Sequence, residues 1–422
     1  MKKILILTVF LLTFIFVAVG CQSGDVSEST AGLQFELNEG GSSYTLVGIG
    51  TCTEAEVFVD GHDGLPVTAV ADSAFEKCTS ITSVLLGKNV KSVGKNAFKN
   101  CSYLNNLLLG DGVMEVGEGL AYGCPNLVSV TLGSNILEIP KNAFYGCESL
   151  QSIIIPASAS KIGDSAFYNC MLLSSVDMGS NITEIGMSAF KRCYSISDIV
   201  LSTDLETIGD SAFCECVELK SIKIPNSVKS IGFAAFKYCV ALTEVELGTG
   251  ISEIPMAAFY DCQALKSITI PSNVRTIGES AFFECLEMTE VKLAEGLTDI
   301  GPKAFYNCVK LGALSIPNSV TVIGETAFRN CDALIDVAIG SGVETLGEYA
   351  FYDSDALKTV TIPASVKKIG EFAFAKCDLL DRATFEVTDG WTVGGEPVSS
   401  LSATSIAAIH LKDNYKASAW SR

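Results

Sequence analysis

The chain has 422 residues, of which 48 are acidic and 29 are basic, so its formal net charge is −19. An acidic surface of this size argues against two partners, nucleic acid and anionic lipid, because both would be repelled. Apolar residues make up 48% of the chain and 16 residues are cysteines. The chain can therefore bury a large core, and the spacing of its cysteines decides how that core is built.

The first 20 residues are typical of an export signal. Two lysines open the segment, the stretch to residue 19 is apolar apart from two threonines, and Ala-Val-Gly-Cys at residues 18–21 reads as a lipobox. We predict a bacterial lipoprotein signal over residues 1–20, cleaved before Cys21, whose thiol takes a diacylglycerol. The alternative is a plain secretory signal beside an accidental cysteine. The stretch is too short and wrongly flanked for a membrane span. The predicted location is the cell envelope, with the anchored protein facing outside.

A polar segment and a short lead-in follow the signal. Residues 21–32 are predicted to be the lipidated cysteine and a flexible tether, whose eleven polar residues would reach about 18 Å. Loss of residues 1–20, with their two lysines, lowers the net charge from −19 to −21. Residues 33–64 are predicted to form an N-terminal cap. Within them, Asp-Gly-His-Asp-Gly at 60–64 lacks the ligand spacing of a calcium loop and is interpreted as a turn.

A phenylalanine then recurs every 23 residues, and a cysteine follows each phenylalanine by three residues. Of 14 such positions, 13 hold Phe and 13 hold Cys, the exceptions being Ala121 and Ser354. A fixed period without insertions predicts a stacked solenoid. We expect about 14 coils over residues 65–384, roughly 65 Å long at one strand spacing per coil, and a C-terminal cap over residues 385–422.

One unit, residues 320–342, illustrates the expected coil. Alternation before Ile339 predicts a short strand with Val337 and Ile339 inward, and residues 320–324 are consistent with a second short strand. Residues 325–331 suit a single helical or 3₁₀ turn. Glycine or proline after the strand forces a bend. Because one coil cannot bury its own apolar edge, stability is expected to come from contacts between neighbouring coils.

The phrases SIPNSVTVIGETAFRNCDAL (residues 315–334) and TIPASVKKIGEFAFAKCDLL (residues 361–380) resemble the BspA-like leucine-rich repeats of bacterial surface proteins, which share the 23-residue unit. The resemblance covers roughly residues 65–380 and implies a leucine-rich-repeat-like stack of parallel strands. It also implies adhesin-type roles, such as attachment to host matrix or surface proteins, to mucosal surfaces or to other bacteria.

Stacking predicts ladders of identical side chains. Neighbouring cysteines would have Cα atoms about 4.8 Å apart, but parallel Cβ vectors keep the sulfur atoms from bridging. We therefore interpret the ladder as buried free thiols that act as small hydrophobes. The representative ladder positions are Phe282, Phe305, Phe328, Cys285, Cys308 and Cys331. No metal or other cofactor is expected.

Two outward columns are candidate binding surfaces. The first lies on the strand and is apolar at Leu85, Leu108, Ile154 and Val200; the alternative is that these residues serve only sheet propensity. The second follows the ladder phenylalanine and contains two runs of aromatic residues that could stack on glycan rings or anchor a protein; the alternative is a self-stacking ladder that covers core edges. The members named for the second column are Tyr145, Tyr168, Tyr260, Phe283 and Tyr306.

Catalysis is not expected. The two histidines, His62 and His410, lie in opposite flanking segments, and the chain has none of the nucleophile, zinc-hydrolase or phosphate-loop motifs. We predict an anchored surface protein that binds a protein or another macromolecule through the solenoid face. The alternatives are an envelope spacer without a dedicated ligand and a glycan-capturing protein.

Overall fold

The computed structural model describes residues 26–422 of the chain. Each coil passes through a strand of a first sheet, bends, passes through a shorter strand of a second sheet, and returns through a turn segment that carries the Phe and Cys positions. The predicted repeat solenoid with short parallel strands is confirmed.

The N-terminal lead-in already contains strands that pair with the repeats. Its strands are β1 (Gln34–Leu37), β2 (Tyr44–Gly48), β3 (Glu56–Val59), β4 (Gly61–His62) and β5 (Leu65–Val70). β1 and β4 are antiparallel to β2 and β5 respectively, and β2 is parallel to β5.

The strands of the repeats follow in chain order: β6 (Ser83–Leu86), β7 (Ser92–Val93), β8 (Asn106–Leu109), β9 (Glu115–Val116), β10 (Ser129–Thr131), β11 (Glu138–Ile139), β12 (Ser152–Ile154), β13 (Lys161–Ile162), β14 (Ser175–Asp177), β15 (Glu184–Ile185), β16 (Thr207–Ile208), β17 (Ser221–Lys223), β18 (Ser230–Ile231), β19 (Glu244–Glu246), β20 (Glu253–Ile254), β21 (Ser267–Ile270), β22 (Thr276–Ile277), β23 (Glu290–Leu293), β24 (Asp299–Ile300), β25 (Ala313–Ser315), β26 (Val322–Ile323), β27 (Asp336–Ala338), β28 (Thr345–Leu346), β29 (Thr359–Ile362) and β30 (Lys368–Ile369).

These strands form two sheets along the solenoid. The first sheet runs β3-β6-β8-β10-β12-β14, continues as β17-β19-β21-β23, and ends with β25-β27-β29 and one C-terminal strand. The second sheet runs from β2 through β5, β7 and β9, then through β11-β13-β15-β16-β18 and β20-β22-β24-β26-β28-β30. Repeat strands pair with partners 23 residues away, as Leu85 does with Leu108. Each side chain therefore lies beside its own copy in the next coil.

The core is a set of parallel ladders. The rings of Phe282, Phe305 and Phe328 stack with centroids 5.1 and 5.2 Å apart, and all three residues are completely buried. Val320 and Ile323 are equally inaccessible on the side of the second sheet. Burial of a Phe or Ile side chain contributes about 1.5–3 kcal/mol, and the repeat supplies this contribution in most coils, the coil of Ala121 and Val116 being an exception.

The turn segment is not the helical or 3₁₀ turn predicted from residues 325–331; that prediction is wrong. Thr326 and Asn330 adopt left-handed backbone conformations, with φ of 53° and 59°. The N–H groups of Thr326, Phe328 and Asn330 donate to carbonyl oxygens of the next coil at 2.8–2.9 Å. Every second N–H group of the segment therefore points toward the neighbouring coil. These groups are hydrogen-bonded between coils instead of within one helix.

The N-terminal end is closed by part of the predicted tether. Ser29 N–H donates to Gly61 O at 2.8 Å, and Thr30 N–H donates to Phe58 O at 2.9 Å. Residues 27–30 are therefore held against β3 and β4 by hydrogen bonds instead of running free. The predicted signal and Cys21 lie outside the described residues.

The C-terminal end is covered by an aromatic cluster. The remaining elements are β31 (Arg382–Phe385), β32 (Thr392–Val393), β33 (Glu396–Pro397), α1 (Thr404–Ile409), a π-helical turn (His410–Asn414) and β34 (Trp420–Ser421). β34 pairs antiparallel with β30, and the second sheet continues through β32 to its last strand, β33. Trp391 and Trp420 pack 5.5 and 5.8 Å from the ring of Phe385 and are both buried. The last coil is thereby shielded from water.

Candidate functional site

The outward column of the first sheet is only partly apolar. Leu85 and Leu108 lie in register on β6 and β8 and are half-buried. Ile154 on β12 is 68% exposed and Val200 is 76% exposed. Exposed Thr131 separates Leu108 from Ile154, so the structure brings the first two residues together but does not join all four in one stripe.

The later half of the same column is polar. Lys223 Nζ lies 2.6 Å from Glu246 Oε1, and both side chains are largely exposed. A surface ion pair of this kind stabilises a fold by less than about 1 kcal/mol. The apolar part of the first sheet is therefore confined to the coils before β17.

One coil of the first sheet lacks its strand. Residues 198–201 lie between β14 and β17 but pair with neither. Val200 projects into a cleft of about 500 Å³ at this position, lined also by Asp198, Leu201 and Lys223. The sequence analysis missed the break, although Ser202 takes a place where the neighbouring coils have Gly179 and Pro225.

The first aromatic row is a stack of rings. Tyr122, Tyr145 and Tyr168 have centroid spacings of 4.7 Å and interplanar angles of 6° and 2°. A cation covers each outer ring: Lys99 Nζ lies 5.6 Å from the Tyr122 centroid and the Arg192 guanidinium 6.0 Å from that of Tyr168. Burial and the neighbouring tyrosines raise the pKa of Tyr145. Ring faces are closed within this row, and only the ring edges and hydroxyl groups face solvent.

The second aromatic row repeats this arrangement. Tyr260, Phe283 and Tyr306 stack at 4.6 and 4.7 Å with angles of 5° and 3°. Lys237 Nζ lies 4.1 Å from the Tyr260 centroid, and the Arg329 guanidinium lies 5.6 Å from that of Tyr306. Both rows are therefore self-stacked, as the alternative interpretation of the sequence expected. A basic residue closes each end of each row, which the sequence analysis did not recognise.

From Cys101 onward the cysteine ladder is buried and uniformly hydrogen-bonded, whereas Cys78 in the first coil is half-buried. The thiol of Cys331 donates to Phe305 O at 3.5 Å, and Cys308 donates to Phe282 O at 3.3 Å. Cys285 makes the same contact with the coil before it. Burial raises the pKa of Cys308 to about 12. All cysteines of residues 26–422 are free thiols, and these buried sulfurs are held as neutral hydrogen-bond donors.

These columns and ladders follow from a repeat that is found in other proteins. The model of the BspA type leucine rich repeat region, with six copies of the unit, matches residues 68–197, 183–312 and 298–416. The chain belongs to the BspA type leucine-rich repeat family. The BspA-like family is one of bacterial surface proteins, and leucine-rich repeat proteins generally mediate protein–protein interactions.

One solved leucine-rich repeat structure shares the fold of this chain, and further solved structures show a weaker similarity. A leucine-rich repeat protein from Bacteroides ovatus ATCC 8483 is 22% identical over 85% of this chain and 94% of that chain, with a TM-score of 0.59. A leucine rich cell surface protein from Faecalibacterium prausnitzii A2-165 is 26% identical over 75% and 95%, with a TM-score of 0.39. The pneumococcal vaccine antigen PcpA is 19% identical over 86% and 82%, with a TM-score of 0.37. No curated protein sequence matches the chain.

The flanks of this BspA-type chain do not gather catalytic or metal-binding groups. His62 stacks on Phe35 at 4.3 Å in the N-terminal lead-in, whereas His410 contacts Tyr415 in the C-terminal segment. Within residues 26–422, no three His, Cys, Asp or Glu side chains lie close enough to hold a metal ion. Asp60 is buried and accepts a hydrogen bond from Asn89 N–H at 3.1 Å, so it ties the residue before β4 to the bend after β6.

The described part of the chain, residues 26–422, contains no helix long and apolar enough to cross a membrane.

Proposed function

We propose that this protein is an adhesin-like recognition protein of the cell surface that binds a macromolecular partner, in the first place a protein, through the first sheet. The observation that carries the proposal is the exposure of two apolar side chains on one face of the solenoid: Ile154 on β12 is 68% exposed, and Val200 in the coil without a strand is 76% exposed. Large apolar side chains held outward on a rigid surface are typical anchors of protein interfaces.

The solenoid supports recognition by many weak contacts. Outward side chains of successive strands are spaced by one coil, about 4.8 Å, and buried ladders beneath them fix their positions. A partner that lies along the sheet would meet Leu85, Leu108 and Ile154 on one side of the break and the charged column beyond Val200. Little backbone conformational entropy would be lost on the side of the solenoid, because pairing between coils already holds its strands.

The charge of the chain favours neutral or basic partners. The excess of acidic residues gives a net charge of −19 before signal removal, and such a field repels acidic macromolecules while it attracts basic ones. We therefore expect association with a basic protein surface to slow as salt is raised.

The anchor is proposed to be a lipid on Cys21. Since residues 27–30 are held against β3 and β4, only residues 22–26 would separate the lipid from the solenoid. Five extended residues span at most about 18 Å. The N-terminal coil would then lie close to the membrane, and the C-terminal end would lie farthest from it.

Capture of glycans by ring stacking is the weaker alternative. The faces of Tyr145 and Phe283 are already covered by neighbouring rings at 4.6–4.7 Å. A sugar stacking on an aromatic residue needs an open face. The rows offer hydroxyl groups and edges instead, so any contact with sugars would be by hydrogen bonds.

Binding to separate panels of host matrix proteins, glycans and wall fragments tests the proposal. Changing both Ile154 and Val200 to Ser should weaken binding to a protein ligand by about tenfold or more, since two exposed apolar anchors are lost. The matched control is Thr269→Ser on β21, which should leave binding unchanged. Loss of glycan binding on changing Tyr260 and Tyr306 to Phe would favour the glycan alternative instead. If the protein binds no member of any panel, that result would favour the alternative of an envelope spacer.

A further inference from the structure

The coil without a strand leaves a line of unpaired backbone in the middle of the first sheet. Within the described residues, no N–H or C=O group of residues 198–201 makes a backbone hydrogen bond. In an intact coil such as that of β19, the strand pairs on both sides, with β17 and β21. The edges of β14 and β17 that face the break are unpaired for the same reason.

The rest of this coil stays attached to its neighbours. Lys220 N–H donates to Ser197 O at 3.2 Å, and Ser202 Oγ donates to Ser180 O at 2.8 Å. The side chains of Ile199 and Leu201 still point inward and are 5% and 6% exposed. The break is thus local, and the ladders on either side run past it.

A backbone change accompanies the break. Gly179, which follows β14, has a φ of 66°, and its N–H donates to Asp177 Oδ1 at 3.2 Å. The bend after other strands of the first sheet uses proline or glycine without a left-handed conformation, as at Pro225 and Gly248. The sheet therefore ends at Asp177 and begins again at β17.

The cleft combines an apolar floor with one acidic edge. Val200 is 76% exposed beside it, and the one carboxylate that lines the cleft, Asp198, has no ion-pair partner among residues 26–422. The one lysine that lines the cleft, Lys223, is already paired with Glu246 at 2.6 Å. The uncompensated local charge is negative.

We propose that this cleft receives an extended peptide segment of the partner protein, which lies over residues 198–201 and hydrogen-bonds with their unpaired backbone groups. The inference rests on the proposed function and names the partner chemistry at one site of the first sheet. Unpaired strand groups bind an extended chain through main-chain hydrogen bonds, and pockets for alternate side chains supply specificity. The volume of about 500 Å³ lies within the range of ligand pockets.

The chemistry of the cleft defines the peptide. Side chains alternate across a strand, so one set of alternate residues would face Val200 and should be apolar. A lysine or arginine near the same end would meet Asp198, since opposite charges across an interface fix register and exclude acidic competitors. The occupant is therefore an extended segment with alternating apolar residues and at least one basic residue.

Selection from a display library of random peptides of about nine residues tests the proposal. The full chain is the bait, and a repaired variant with Asp198→Ser, Val200→Lys and Ser202→Pro is the counter-bait, because it carries the residues of the adjacent coil at Ser221, Lys223 and Pro225. Enriched peptides should bind the natural chain at least tenfold more tightly than the repaired variant, and alternate N-methylation of the peptide backbone should abolish binding. Should the repaired variant not fold, Val200→Lys alone replaces it and should weaken binding about tenfold.

Amide hydrogen exchange gives the second readout. In the free protein, residues 198–201 should exchange much faster than residues 244–246 of β19, and a selected peptide should slow the exchange of 198–201 alone. Slow exchange at 198–201 in the free protein would overturn the proposal. Failure to enrich any peptide, or equal binding to both baits, would also overturn it; in the second case the wider proposal of surface recognition would stand.

Discussion

Ser354 Oγ donates a hydrogen bond to Phe328 O at 3.3 Å. Ser354 is the one position of the ladder where serine replaces cysteine, and it is completely buried like its neighbours. Cys331 and Cys377, one coil on either side, make the same contact with the phenylalanine carbonyl of the preceding coil. The repeat therefore requires a small hydrogen-bond donor at this position, and the sulfur atom is one way to supply it.

The donor requirement predicts the outcome of substitutions at Cys331. Cys331→Ala should lower the free energy of unfolding by about 1–2 kcal/mol, because Phe305 O loses its donor and a small cavity forms. Cys331→Ser should cost less, since Ser354 shows that a hydroxyl group fits. Denaturant unfolding of the three proteins measures the difference.

Ser354→Ala is the matched control for the Cys331 series. It removes the same hydrogen bond with less change in volume and should cost about 1 kcal/mol. A ladder that acts only through apolar packing would instead make both alanine variants at least as stable as their serine counterparts.

The buried thiols make the free energy of unfolding depend on pH in the alkaline range. The pKa of Cys308 is about 12 in the folded chain, against 9.0 for an ordinary thiol. The contribution of this thiol is fully present below pH 9 and is lost as the pH rises from about 9 to 12, because the unfolded chain releases the proton first. The free energy of unfolding should fall between pH 9 and 11 by about 1.4 kcal/mol per pH unit for each such thiol.

Replacement of Cys308 by Ser isolates one thiol of this set. The hydroxyl group does not titrate in this range, so the slope of stability against pH should become shallower by about 1.4 kcal/mol per pH unit. Urea unfolding at a series of pH values provides the measurement. An unchanged slope would show that the ladder thiols are not protected in the folded chain.

The aromatic rows should contribute to stability without their hydroxyl groups. Tyr145→Ala would open a gap between Tyr122 and Tyr168, which stack on its two faces. We expect a loss of about 2 kcal/mol, since each aromatic contact is worth about 0.5–1.5 kcal/mol beyond its buried area. Tyr145→Phe keeps both contacts and should change stability by less than about 0.5 kcal/mol. Equal losses in the two variants would assign the stability to the hydroxyl group instead.

The left-handed positions of the turn segment should resist β-branched residues. Asn330 has a φ of 59°, and Gly123 and Gly146 occupy the same place in earlier coils. Asn330→Val should destabilise the chain by about 1–2 kcal/mol, because a branched Cβ clashes in this conformation. Asn330→Gly should be close to neutral. Thermal unfolding compares the two, and tolerance of valine would contradict the alternating turn geometry.

The spacing of the repeat was sufficient to predict the stack, because a fixed period leaves each apolar residue only its copy to pack against. The same spacing located Phe328 and Cys331 on ladders and Leu85 and Ile154 on an outward column. Whether such a column is continuous depends on how far each side chain emerges between its neighbours. Thr131 is a polar residue between the apolar residues Leu108 and Ile154, so the apolar surface of the column is limited to short patches.

The turn segment was predicted incorrectly because its residues were assessed for helical spacing alone. Asparagine tolerates the left-handed region better than most residues, and Asn100, Asn169, Asn307 and Asn330 recur at one such position. That recurrence was a usable signal. Glu215 and Tyr238 occupy the same position although their own preferences oppose it, so hydrogen bonds to the next coil override local propensity there.

The break at residues 198–201 could not be derived from the sequence. Asp198 and Ser202 differ from their counterparts in adjacent coils, but other coils accept substitutions at these places without losing the strand. Whether a strand forms there depends on a small difference in free energy between two arrangements: a strand hydrogen-bonded to the neighbouring coils, and the backbone bent at Gly179. The docking of residues 27–30 on β3 and β4 is a similar case, since their polar composition is that of a free tether.

The register of successive coils is tested most directly by distances between spin labels on the outward column of the first sheet. Labels on Thr131→Cys and Thr269→Cys are six coils apart, and labels on Thr131→Cys and Thr361→Cys are ten coils apart, in a Cys78→Ser background. We predict separations of about 29 and 48 Å at one strand spacing per coil, shortened slightly by any curvature. Separations that do not grow with the number of coils would contradict the stacked solenoid and every surface derived from it.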